Sequence, residues 1–180
     1  SPPTNSPIRS WCGNLSAWVA SGRSAGMLPL DAQQLSTFVE QGFVFLPSLF
    51  SAAEVAVLRA GAARIMAREG PEVVCEADSE TIRLGYGAHM YDEAFVRLGR
   101  HPHLIGAAKQ LLATDGVYIH QSRLNPKAAF AGAEWEWHQD FATWYDRDGL
   151  KEPRALMVAV FIEEVTAANA PLLIVPGSHR

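Results

Sequence analysis

The segment Trp137-His138-Gln139-Asp140-Phe141 holds the residues best suited to chemistry. On a strand, positions i and i+2 point to one face, so His138 and Asp140 would bring an imidazole and a carboxylate together. Such a pair supplies two of the three ligands of a facial 2-His-1-carboxylate site for non-haem Fe(II), whose open face admits a cosubstrate and O2. The bare His-x-Asp pattern equally describes a hydrogen-bonded pair on a surface strand. Trp135, Trp137, Phe141 and Trp144 crowd the segment and favour a partly dry pocket. For any single ring, core packing is an equally good account.

The stretch before it has its own pattern. Gln121, Arg123, Asn125 and Lys127 recur with period two, on the face that also carries Val117 and Ile119. Polar residues in that register suit a pocket lining, and a solvated edge face is the alternative. Lys127 is one of three lysines in the chain and a fitting point charge for a carboxylate. His89, His101 and His103 precede the expected strands, and His120 points away from Gln121. All four are read as surface or hydrogen-bonded histidines.

These side chains need elements to hold them. Asp31 is a helix N-cap, Leu35, Phe38 and Val39 follow at helical spacing, and Gly42 ends the helix. Phe43 to Leu46 is a short strand. Ser51 with Glu54 is a capping box opening a second helix, whose stripe is Val55, Leu58, Ala62, Ile65 and Met66. Pro102 starts a third helix with Leu104, Ile105, Ala108, Leu111 and Leu112 inward. Strands are expected at Val117 to Asn125, Trp135 to Thr143, Ala155 to Ile162 and Leu172 to Val175. The third is apolar on both faces and is expected to be buried. Helices followed by strands give an α+β fold or a helix-buttressed β-barrel.

His138-Gln139-Asp140-Phe141-Ala142-Thr143-Trp144 resembles the metal-binding segment of the phytanoyl-CoA dioxygenase-like family of Fe(II)- and 2-oxoglutarate-dependent oxygenases. Gln41-Gly42-Phe43-Val44, His120 to Lys127, Asn169 to Leu172 and Pro176-Gly177-Ser178-His179 fit the same family. Within it the likeness is nearest to ectoine hydroxylase and bacterial hydroxylases of proline-like amino acids. The resemblance implies a double-stranded β-helix, a cupin-like jelly roll of eight strands flanked by N-terminal helices. Residues 1–30, rich in Ser, Pro and Gly, read as an irregular arm, and the resemblance covers an oxygenase domain over 31–180, with a helical buttress over 31–115 and the first part of the jelly roll over 116–180. About five strands are countable, so the C-terminal strands are expected to be missing and the 180 residues alone to be inactive.

The resemblance also implies roles. His138 and Asp140 match iron ligands, and Asp140 favours hydroxylation over halogenation, where a small residue takes its place. Lys127 matches a residue holding the 2-oxoglutarate carboxylate; Arg123 matches one near the cosubstrate, with a purely structural salt bridge as the equal alternative. Gln121, Thr143 and Trp144 match substrate-contacting positions. His179 does not match the second histidine ligand, which the family carries farther along, before an arginine that pairs with the cosubstrate. The implied reaction hydroxylates an unactivated C–H bond of a small, zwitterionic, amino-acid-like substrate. Glu136 and Tyr145 depart from the ectoine-type pattern, which leaves ectoine, proline-like and other amino acids open as substrates. A non-catalytic jelly-roll binding module and an oxygenase with another oxidative outcome are the competing readings.

Composition narrows the field. Hydrophobic residues are 48% and charged residues 19% of the 180, too apolar for intrinsic disorder. The net charge of −4 offers no attraction to nucleic acid or an anionic membrane. No apolar run approaches the roughly 18 residues a spanning helix needs. Two cysteines make no disulfide framework, and the expected compartment is a reducing cytoplasm. A homodimer remains an open arrangement.

Overall fold

The computed structural model describes residues 30–77, 80–126, 136–167, 169 and 171–180. The expected arm over 1–30 lies outside them except for Leu30, as do Lys127 and Trp135. The chain divides into two compact units, one of residues 1–49, 102–117 and 173–180, the other of residues 50–101 and 118–172.

In the first unit, helix α1 spans Ala32–Gln41. Its start follows from sequence. The Asp31 carboxylate accepts from the Gln34 N–H at 2.8 Å, and the Gln34 side-chain oxygen accepts from the Asp31 N–H at 2.9 Å, a reciprocal cap. Gly42 ends it at φ 84°, where a side chain is strained. The exposed carbonyls at that end find partners far along the chain. The Gly177 N–H donates to Gln41 O at 2.7 Å, His179 Nε2 to Val39 O at 3.1 Å, and Arg180 to Val39 O and Glu40 O at 3.1 and 3.3 Å. The turn over 176–180 is therefore a cap for α1, satisfying groups a helix terminus leaves unpaired.

A later helix of the same unit spans Pro102–Leu111. Its most buried side chain is polar: Gln110 is 1% exposed. The Gln110 amide accepts from the Leu30 N–H at 3.1 Å and donates to Leu30 O at 3.0 Å, so both its oxygen and its nitrogen are bonded. The apolar residues expected to face inward, Leu104 to Leu112, are half-buried.

The second unit is built on α2, Ala52–Met66, capped by Ser51 and Glu54. Leu58 and Ile65 pack with Ala88, Ala94 and Phe95, and Ala62, Leu98, Leu124, Val160 and Ile162 close around them. Ala88–Tyr91 and Glu93–Gly99 are the short helices α3 and α4. With these named, Pro102–Leu111 is α5. Gly61 lets α4 approach α2: a Cβ there would lie 2.7 Å from Asp92 Oδ1 and 3.2 Å from Ala94 Cβ. Asp92 caps α4 through the Ala94 N–H at 2.9 Å and takes a two-pronged ion pair from Arg64 at 2.7 and 3.1 Å. The Arg64 guanidinium holds the Asp92 carboxyl below its ordinary range.

A three-stranded antiparallel sheet runs in the order β1 (Val73–Cys75), β2 (Ile82–Tyr86), β3 (Arg123–Leu124). Leu124 opposes Gly85 and Arg123 opposes Tyr86. The Gly87 N–H donates to Ser122 O at 2.8 Å and extends that link.

Several expected strands differ in the structure. From Val117 to Asn125 only Arg123–Leu124 joins a ladder. The expected strand over Trp135 to Thr143 is a helix, α6, from Asp140 to Asp148. Phe43 to Leu46, Ala155 to Ile162 and Leu172 to Val175 form no ladder with any described residue. Nor is the third run buried on both faces: Val160 and Ile162 pack on the core, whereas Met157, Val158 and Phe161 are about half exposed. Apolar sequence marks a segment that can bury, but a strand exists only where a second backbone pairs with it. The mixed helix-and-strand class holds, and the described residues show one small sheet.

Candidate metal and substrate site

His138 and Asp140 come together by a route other than the expected one. Gln139 is extended (φ −111°, ψ 123°) and Asp140 is the first helical residue of α6. The extended approach followed by a helical turn leaves His138 Nε2 3.3 Å from Asp140 Oδ1. Asp140 also gains from its position, since a helix N-terminus favours an anion. An acidic first turn and the Asp148-Gly149 stop were the sequence signals for this helix. Gly149 takes φ 72°, and its N–H returns to Trp144 O.

The His138 ring has a defined orientation. Its Nδ1 lies 2.6 Å from Glu136 O. A carbonyl only accepts, so Nδ1 carries hydrogen and donates. In the neutral imidazole Nε2 is then the nitrogen without hydrogen, 3.3 Å from Asp140 Oδ1. A histidine whose Nδ1–H is held by a backbone carbonyl is the arrangement that presents Nε2 to a metal. The donor set, one imidazole and one carboxylate, fits ferrous iron. Among the described residues no third His, Cys, Asp or Glu completes a metal-holding group with them.

Arg123 reaches the same place. On β3 its guanidinium lies 3.4 Å from Asp140 Oδ1, with both side chains mostly covered, 25% and 21% exposed. It therefore stands beside the Asp140 carboxylate. Thr143 and Trp144 lie three and four residues beyond Asp140 in α6, on the side of the helix that Asp140 occupies. Gln121, two residues before Arg123, is exposed. Lys127 falls outside the described residues. His179, bonded to the end of α1 in the first unit, serves as a cap there.

Sequence reading missed one participant. His120 Nε2 lies 2.9 Å from Asp148 Oδ2, and its ring meets Trp144 edge-on with centroids 5.6 Å apart. An acidic residue at a helix C-terminus, where negative charge is disfavoured, was the available signal that Asp148 needs a partner.

The sequence and the fold resemble those of known proteins. The model of the family "Phytanoyl-CoA dioxygenase (PhyH)" matches residues 38–180. An L-proline trans-4-hydroxylase of Streptomyces griseoviridis is 43% identical over 139 residues, 77% of this chain and 52% of that one. An ectoine dioxygenase of Sphingopyxis alaskensis is 40% identical over 156 residues, 84% of this chain and 51% of that one. The crystal structure of EctD from S. alaskensis in its apoform superposes with a TM-score of 0.80 at 38% identity, covering 88% of this chain and 58% of that one. EctD from the same organism has also been solved with 2-oxoglutarate and 5-hydroxyectoine; there the TM-score is 0.68 at 36% identity, over 76% of this chain and 49% of that one. The chain spans about half the length of the relatives it matches.

Proposed function

From the premise that the chain belongs to the phytanoyl-CoA dioxygenase family, we propose that the protein is an Fe(II)- and 2-oxoglutarate-dependent dioxygenase. It hydroxylates an unactivated C–H bond of a small, zwitterionic, amino-acid-like molecule. The observation that carries the reading is the His138–Asp140 pair, 3.3 Å apart with the imidazole oriented by Glu136 O. The named activities of the proline and ectoine relatives support the substrate class. The fold we propose is the jelly roll. Among the described residues no second histidine stands with this pair.

Each residue has a task. His138 Nε2 and Asp140 would hold the metal. Arg123, 3.4 Å from Asp140 Oδ1, would restrain that carboxylate from the side. Lys127 would pair with a carboxylate of 2-oxoglutarate. Gln121 and Thr143 would orient the substrate by hydrogen bonds, and the Trp144 ring would attract its cationic end. When bound, ferrous iron would couple reduction of O2 and decarboxylation of 2-oxoglutarate to hydroxylation of the C–H bond, leaving succinate and CO2. The surrounding side chains have to place that bond and exclude water.

Incubated at its full natural length with Fe(II), 2-oxoglutarate and O2, the protein should release succinate in step with a hydroxylated product from a panel including ectoine and L-proline. Asp140→Ala should lower that rate at least a hundredfold, on the order of what loss of an essential positioned group costs. A panel of small zwitterions that stimulates no succinate release would refute the reading.

A further inference from the structure

We infer that His120 is a positioning residue for the substrate side of the site, acting through Trp144. The inference rests on the reading of Trp144 as a substrate contact. Helix α6 is attached to the segment 118–124 at two points. At its start Asp140 meets Arg123 at 3.4 Å. At its end Asp148 meets His120 Nε2 at 2.9 Å. The two anchoring positions in α6 are eight residues apart, about 12 Å along a helix. The two in the other segment are three apart, at most about 10 Å of extended chain. These lengths match, so the helix is held alongside the segment.

At about 100° per residue, Asp140, Trp144 and Asp148 fall within roughly 80° of one another around the helix. Trp144 therefore sits between the two anchors. His120 touches it directly, with ring centroids 5.6 Å apart and planes inclined at 74°. Tyr118 backs the imidazole on another side, its ring centroid 6.5 Å away. The imidazole does two things at once. Its Nε2–H donates to the Asp148 carboxylate at a helix end that disfavours an anion, and its ring restrains the indole by a T-shaped contact. Gln121 is the next residue in the chain, so the brace that sets Trp144 also sets the backbone carrying Gln121.

The test separates placement of Trp144 from metal binding and from folding. His120→Ala should raise KM for the small zwitterion roughly tenfold, the scale of one lost charge-assisted hydrogen bond. KM for 2-oxoglutarate and the Co(II) affinity of the His138–Asp140 site should stay within about twofold. His120→Phe keeps a ring and His120→Gln keeps a donor, so each should recover part of the loss. Near-ultraviolet circular dichroism should change on His120→Ala in the parent protein and not in a Trp144→Phe background. The inference is overturned if KM for the zwitterion is unchanged, if Co(II) affinity falls in parallel, or if the dichroism change persists without Trp144. If the parent protein consumes no 2-oxoglutarate with any zwitterion, the dioxygenase reading fails. The dichroism comparison still decides whether His120 places the indole.

Discussion

At the scale of single residues, polar side chains matter as much here as apolar ones. Gln110 is among the most buried side chains of its unit and makes a two-way bond to the Leu30 backbone. Gly42 meets two demands together. Its φ of 84° suits glycine, and an added Cβ would collide with His179 Nδ1. Gly42→Ala should destabilise the protein by about 1–2 kcal/mol for the left-handed conformation alone, and more for displacing the imidazole. Denaturant melts of Gly42→Ala and of Gly42→Ala/His179→Ala check this. The double variant should relieve the crowding but keep the conformational cost. That His138 and Asp140 come together was legible because their spacing survives a change of local structure. His120 was not, since its partner lies 28 positions away and no short-range pattern connects them.

At the scale of elements, the helices with paired caps were legible and the isolated apolar runs were not. Asp31 with Gln34 and Ser51 with Glu54 write their own start signals within three residues. Nothing comparable marks Phe43 to Leu46 or Leu172 to Val175, because a ladder partner is a distant segment. The α2–α4 contact gives a prediction in pH. The Asp92 carboxyl is held below its ordinary value, chiefly by Arg64. A carboxyl with a lowered folded pKa contributes stability that is complete above the unfolded value near about 3.9 and vanishes as pH falls through the folded value. Arg64→Ala should therefore cost stability at pH 7 and progressively less in acid. Chemical denaturation of both proteins between about pH 7 and pH 3 reads the difference, and a constant gap would contradict the assignment.

Across the whole molecule, apolar side chains divide into a packed set and a half-exposed set. Ile65 is 1% exposed in the core, while Phe161 is 48% exposed. Ile65→Ala should cost about 2–5 kcal/mol. Phe161→Ala should cost much less by urea unfolding, although more apolar carbon is removed. The contrast checks that the core of the second unit lies where Leu58, Ile65 and Phe95 meet. None of the helices over the described residues is long and apolar enough to cross a membrane. The cap on α1 has a consequence in time. His179 and Arg180 reach back 140 and 141 positions to Val39. A ribosome adding roughly 5–20 residues per second needs on the order of 7 to 28 seconds to make that length. Through that interval the nascent α1 must keep its last carbonyls solvated or borrowed by other donors, so the first unit cannot be completed before residues 177–180 are made.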